Sequence, residues 1–372
     1  MNGLKNRKLA LFLGNGDSLE VWDSLGFLKR EMSLYNLLSQ YFKEIYIFTY
    51  GLKDKRYERI LNKNITIIPK FGKLDNRLYE FIIPFKFRKL LKDCDFYKTN
   101  QNIAATAPTI CKLIYGNKLI VRSGFIGSVN AKLYRCNIIT RFHLFLVEFF
   151  SYLLCDVAFI PTKQNYDILT RKYTFLKKKL IIMNNFVDTD LFRKKNIPKK
   201  YDIIYVARMD DHKNHLELLN AAKGLNLKVC FIGQGYNYGK IKEFAQSNGI
   251  DLKIIKRVSN NKMSDYLNSS RIFVFPSLHE GNPKTLLEAM SCELPVIGYN
   301  VLGVKNLIKS GHNGLICEPD AQELRTNIIK LSKDGKLRFK IGRNARRFIS
   351  DNYSLDKLIK KELKIYERLL KN

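Results

Sequence analysis

The sequence predicts an α/β protein built as two doubly wound domains that face each other across a cleft. Three observations lead there. Short apolar runs rich in Ile, Val, Phe and Tyr recur along the chain, helical-period segments separate them, and the pattern restarts after a polar stretch at residues 184–200. The alternation is that of βαβ units and parallel sheets. A chain of 372 residues has room for about two domains. With 46% hydrophobic and 27% charged residues it can bury a core, which excludes the disordered, collagen-like and disulfide-scaffold classes.

In the first half, strands are expected near residues 9–13, 45–49, 65–68, 119–121, 158–161 and 180–183. In the second half they are expected near 202–206, 228–232, 252–255, 272–275, 296–299 and 315–317. Residues 184–200 are polar, end in Ile197-Pro198-Lys199-Lys200 and keep no sustained period, so the interdomain linker falls there. The domains are then 1–190 and 191–352, followed by a segment at 353–372 that reads as a helix over 355–370.

The chain carries 65 Lys and Arg against 34 Asp and Glu, a formal charge of +31. Such an excess draws a protein toward anions: nucleic acid, a phospholipid surface or phosphate-bearing substrates. The lysine runs at 177–179 and 193–195 read as solvated faces, and no RNA-binding or helix-turn-helix signature stands out, so no nucleic-acid partner is expected. Segment 82–92 interleaves Ile82, Ile83, Phe85, Phe87, Leu90 and Leu91 with Lys86, Arg88, Lys89 and Lys92. That mixture suits a helix lying on an anionic membrane, and equally an amphipathic helix packed on a sheet.

The basic N-terminus is followed by an apolar run of residues 9–13 only, too short for a signal peptide. The most apolar segment, 144–160, holds Glu148 and Asp156 and falls short of the ~20 residues a membrane-spanning helix needs. A soluble protein is expected. The seven cysteines (Cys94, Cys111, Cys136, Cys155, Cys230, Cys292, Cys317) are scattered without a CxxC pair, which suits reduced core thiols in the cytoplasm.

The chemistry concentrates at residues 271–298. Ile272 to Phe275 form an apolar strand that Pro276 stops, leaving Ser277 to Glu280 at its carboxyl end, where open α/β sheets bind ligands. Asn282 is the expected N-cap of the next helix and Pro283 its first residue, so the free N–H groups at Gly281, Asn282, Lys284 and Thr285 can hold an anion. Glu280 and Glu288 are eight positions apart, and ionised carboxylates beside a phosphate suit sugar hydroxyls. On spacing alone, a Lys284–Glu288 surface pair with Glu280 solvated is equally open.

A second strand end, near Asp202–Val206, leads to Arg208 and Lys213, two cations able to neutralise a departing diphosphate. Gly14-Asn15-Gly16 after the first strand could bring backbone close to a phosphate or a substrate, but lacks the full GxGxxG pattern. Gly233-Gln234-Gly235 is treated the same way.

Taken together, these residues resemble the family-four retaining glycosyltransferases of the GT-B fold, glycosyl transferases group 1, with two Rossmann-like domains. An E-x7-E element matches Glu280 and Glu288, and an Arg…Lys pair matches Arg208 and Lys213. Residues 182–192 are similar to the family's NGVD-x-x-x-F segment, and Gly311-His312-Asn313-Gly314-Leu315 to its dGxNGxL turn. The resemblance covers about residues 182–320.

The resemblance implies a retaining, metal-independent transfer of a sugar from a nucleotide sugar, with a UDP-sugar favoured and no further cofactor. Glu280 would contact the donor sugar, Glu288 the ribose, and Arg208 with Lys213 the diphosphate. The backbone at Arg257-Val258 would meet the base, and Gly14, Asn15 and Gly16 stand with the donor-binding candidates. The segment at 353–372 would cross back to the first domain. The expected acceptor is a saccharide or a polyprenyl-diphosphate-linked glycan, in bacterial surface polysaccharide assembly, with the protein cytoplasmic and peripheral on the inner membrane face. A basic nucleic-acid- or membrane-binding module, or a sugar-nucleotide epimerase, are the rival readings.

Two departures matter. Where many relatives carry Glu-Gly-Phe-Gly, this chain has Glu280-Gly281-Asn282-Pro283, which leaves donor identity open. In place of a cleft histidine the first half has only His143, read as structural, so Asn100, Gln101 or Arg122-Ser123-Gly124 are the candidates for the acceptor side.

Overall fold

A computed structural model describes residues 2–26, 28–124, 126–128 and 137–371. It divides into two compact units, Met1–Asn184 with Ile359–Asn372, and Asn185–Leu358. In the first, β1 (Lys8–Phe12), β2 (Glu44–Phe48), β3 (Ile65–Ile68), β4 (Phe96–Thr99), β5 (Lys118–Arg122), β6 (Val157–Ile160) and β7 (Leu180–Ile182) form a parallel sheet. Their order is β3-β2-β1-β4-β5-β6-β7, so successive connections leave β1 in opposite directions. Helices cover both faces, as parallel strands buried on both sides require.

Strand β4 is the one that apolar patterning does not reveal, because its third residue is a lysine. All four residues are buried. The Lys98 ammonium, fully buried, pairs with Glu362 from the helix Leu355–Lys371, and Tyr366 donates its hydroxyl to the same carboxylate at 2.9 Å. Lys98 also stands 5.5 Å from the centre of the Tyr35 ring. Burial pushes the Lys98 pKa down, against the pull of Glu362, so the charge depends on its partner. Residues 359–372 therefore complete the first unit rather than the second.

The second unit holds β8 (Tyr201–Val206), β9 (Val229–Ile232), β10 (Leu252–Ile255), β11 (Ser270–Phe275), β12 (Val296–Tyr299) and β13 (Leu315–Cys317), all parallel, in the order β10-β9-β8-β11-β12-β13. Its core is continuous from Val187 to Ile349. The boundary expected at 190 moves to 184 for a visible reason: Val187 bridges Ser354 and Phe192 is buried in this core. Arg346 clamps the same stretch by donating to the Phe192 and Thr189 carbonyls at 2.7 and 3.0 Å.

Segment 82–92 forms two helices, Asn76–Lys86 and Arg88–Lys92, joined at Phe87. Among the described residues, no helix is long and apolar enough to cross a membrane. Six cysteines are buried thiols; Cys136 lies outside the described residues.

Removing one member of the Lys98–Glu362 pair should cost more than removing both. Glu362→Ala leaves a buried ammonium alone and is expected to destabilise the first unit by about 3–5 kcal/mol, while Lys98→Met with Glu362→Leu recovers most of that loss. Urea unfolding of the three proteins measures it, and equal losses for single and double variants would sink the assignment.

Candidate active site

In the second unit the chain moves from β8 to β9 on one side and returns to β11 on the other, so the loops leaving β8 and β11 diverge above adjacent strands. Open α/β sheets bind ligands at such a reversal. Here the two loops carry Arg208, Lys213 and Glu280.

Their backbones are tied to each other. The Leu278 N–H donates to the His212 carbonyl at 2.9 Å, and the Ser277 hydroxyl donates to the same oxygen at 3.3 Å. From inside the sheet, the Tyr205 hydroxyl donates to the Lys213 carbonyl at 2.9 Å. Burial and then the Glu280 charge push the Tyr205 pKa far up, which keeps it a donor. The result is an ion pair between Lys213 Nζ and Glu280 Oε1 at 2.5 Å, with the two side chains only 16% and 11% exposed. Lys213 and Glu280 are thus brought together, 67 positions apart in sequence.

Arg208 is at the rim. It is 66% exposed and pairs with Asp210 at 3.0 Å. Its loop is braced from β9: the Met209 N–H donates to the Gln234 carbonyl and the Asn237 N–H to the Met209 carbonyl, both at 3.0 Å. Gly233 has φ +151°, and a Cβ there would come within 1.9 Å of the Ala207 oxygen; one on Gly235 would come within 2.5 Å of the Met209 oxygen. The Gly233-Gln234-Gly235 turn is therefore a close backbone contact that no larger residue fits. The sequence marks this turn without revealing its partner, and Tyr205 goes unmarked, because the partner of each lies elsewhere in the chain.

Glu280 is supported from the opposite side. A Cβ on Gly303, in the helix Leu302–Lys305 after β12, would lie 2.4 Å from the Glu280 carbonyl and 2.5 Å from that of Gly281. Asn185 donates to the Asn282 carbonyl at 2.6 Å, holding the loop extended. This corrects the expected cap: Pro283, at φ −74° and ψ 110°, occupies the N-cap position, and the helix runs Lys284–Ser291. Asn282 Oδ1 is buried without a partner and caps nothing. The helix thus starts with no side-chain cap.

Glu288 lies one turn beyond Lys284 and is 5% exposed, so it is buried rather than solvated. Arg257 and Val258 follow β10, the edge strand of the sheet, with Arg257 exposed and Val258 packed on the core. Gly14, Asn15 and Gly16 belong to the other unit, after β1, at the corresponding reversal between β1 and β4. There Gly16 takes φ +81°, Gln101 accepts the Gly124 N–H at 2.7 Å, and Tyr35 donates to Asn100 at 3.2 Å.

His215, at the start of the helix His215–Ala222, completes the floor beneath Lys213. It is buried between Tyr205 and Phe231, with ring centres 4.6 and 5.0 Å away, and neither nitrogen has a partner. Burial, then Lys213, lower its pKa from 6.5 to about 3. It stays neutral in the fold while an unfolded chain takes up the proton, so stability is lost as pH falls from about 6.5 toward 3, at up to about 1.4 kcal/mol per pH unit.

His215→Phe is expected to flatten that slope in urea titrations; a slope unchanged from the parent would refute the account. Gly303→Ala should cost about 1–3 kcal/mol by forcing the Glu280–Gly281 turn outward. Thermal unfolding checks this, and a neutral effect would mean the turn yields freely.

The glycosyl transferases group 1 model matches residues 187–348. The capsular polysaccharide biosynthesis glycosyltransferase CapM of Staphylococcus aureus is 33% identical over 178 residues, 45% of this chain and 46% of that protein. CapH of the same organism is 28% identical over 287 residues, 73% of this chain and 77% of that protein. An uncharacterized glycosyltransferase of Methanocaldococcus jannaschii is 27% identical over 197 residues, covering 52% of this chain. The chain spans about half the length of several curated relatives, 55% and 46% in two of these cases. Sucrose-phosphate synthase from Thermosynechococcus elongatus shares the fold with a TM-score of 0.74 at 15% identity, covering 98% of this chain and 99% of that one. Anabaena HepE, solved in complex with UDP, does so at 0.73 and 14%, covering 97% and 100%. The fold is GT-B, and residues 187–348 are similar to the glycosyl transferases group 1 family.

Proposed function

We propose that this chain transfers a sugar from a nucleotide sugar to a saccharide or lipid-linked glycan, with retention and without a bound metal. The observation that carries the reading is the Lys213–Glu280 pair at the strand reversal, beside the uncapped start of the helix Lys284–Ser291. A diphosphate there meets the Lys213 ammonium, the Arg208 guanidinium and the first N–H groups of the helix, which together replace a metal's charge. Glu280 accepts from hydroxyls of the donor sugar, Glu288 from the ribose, and the backbone at Arg257-Val258 meets the base. As the bond from the anomeric carbon to phosphate breaks, the acceptor oxygen bonds that carbon on the same face and passes its proton to the departing phosphate oxygen. In the other unit, the backbone at Gly14, Asn15 and Gly16 approaches a phosphate or a substrate.

The acceptor class follows the relatives. CapM and CapH are named for capsular polysaccharide biosynthesis. A Campylobacter jejuni relative, 29% identical over 203 residues, is named as adding N-acetylgalactosamine to a diphospho-undecaprenol-linked sugar. A polyprenyl-diphosphate-linked glycan at the cytoplasmic membrane face, in surface polysaccharide assembly, fits these names.

Thermal shift against UDP, GDP and their sugars is the first test, since binding to the folded state raises the melting temperature. Uridine donors come first, because HepE was solved with UDP. Lys213→Ala is expected to lower transfer about 10²–10³-fold, Glu280→Gln to abolish transfer while UDP still binds, and Glu288→Ala to weaken UDP binding. If no nucleotide binds and Glu288→Ala changes nothing, the reading is wrong.

A further inference from the structure

The helix Ile138–Leu154 is amphipathic with its faces reversed. Its buried residues are Glu148, Ser151 and Tyr152, while Ile139, Phe142, Phe150 and Leu153, one stripe at helical spacing, are exposed. Ile139 is 72% exposed and Phe142 61%.

The register cannot turn to hide them, because the Glu148 carboxylate is fully engaged. It accepts from the Ser128 N–H and hydroxyl, both at 2.9 Å, from Lys172 Nζ at 2.7 Å and from the Tyr173 hydroxyl at 3.0 Å. Asn102 donates to the Ser151 hydroxyl at 2.9 Å on the same inner face.

The exposed stripe continues onto neighbouring helices. Asn76–Lys86 packs on Thr106–Tyr115, which packs on Ile138–Leu154. On the first, Leu78, Phe81 and Phe85 are exposed at helical spacing; on the second, Leu113 is 65% exposed. A groove lined by Phe85, Arg88, Lys89, Lys92, Ile114 and Tyr115 joins them to the helix Arg88–Lys92. So many large apolar side chains on one face mark an interaction surface rather than ordinary exposure.

The charges name the partner. The four helices contain two acidic residues, Glu80 and Glu148, and both are buried. Arg77, Lys86, Arg88, Lys89, Lys92 and Arg141 are all exposed. A second copy of this chain would set cation against cation. An anionic lipid surface takes the apolar side chains below its headgroups and the cations among its phosphates.

We propose that the face formed by these four helices docks the protein onto an anionic bilayer, with Phe81, Phe85 and Phe142 entering it. The proposal deepens the reading of a membrane-borne acceptor and rests on that reading only for its purpose, since nucleotide binding belongs to the other unit.

The full chain is sedimented with vesicles of phosphatidylcholine alone and of equimolar phosphatidylcholine and phosphatidylglycerol. Binding to the anionic vesicles only is expected. Arg88→Glu with Lys89→Glu should weaken it at least about tenfold, as should Phe85→Ser with Phe142→Ser; all four positions are exposed, so the fold is unaffected. UDP thermal shift on the same variants should be unchanged, which separates this proposal from the donor reading. Three results overturn the proposal: no binding to anionic vesicles, binding that survives both double variants, or a concentration-dependent dimer that the phenylalanine variant abolishes.

Discussion

The site depends on one constraint of topology: a parallel sheet whose strand order reverses must leave its loops apart above two adjacent strands. Between β8 and β11 that divergence opens a crevice, and the chain fills its rim with charge rather than apolar side chains. The crevice is stiff. The His212 carbonyl takes two donors from the β11 loop, the Lys213 carbonyl takes one from Tyr205, and glycines at 233, 235 and 303 let three backbones touch. Charged groups held this firmly need little rearrangement when a ligand arrives.

The pairing of Lys213 with Glu280 shapes how the site meets an anion. Each side chain is largely out of solvent, so an unpaired charge at either would be costly. On the proposed function, a diphosphate bound there would give the ammonium a second negative partner, and sugar hydroxyls would give the carboxylate new donors. Arg208, by contrast, is exposed and pairs with Asp210 at the rim.

Much of this was legible in the sequence. Strands whose apolar runs are unbroken stand where patterning puts them, and Glu280 with Lys213 was found from the order of charged residues around two strand ends. What was hidden shares a physical cause: a residue's role was fixed by a distant partner. Lys98 concealed β4 because a lysine reads as solvent-facing until Glu362 is known. The boundary moved because Val187 and Phe192 belong to the second core. Asn282 lost its cap role because Asn185 holds its carbonyl. The apolar stretch 144–160 proved to be the end of one helix and strand β6, and its outward phenylalanines follow from an inward Glu148 that local sequence cannot orient.

The Lys98–Glu362 contact also bears on how the chain is made. Residues 185–358 form a contiguous unit, while the unit begun by residues 1–184 lacks Glu362 until the ribosome has passed the whole of the second. Until then Lys98 lacks the carboxylate it pairs with in the finished fold. The unit begun first is thus the one whose chain is completed last.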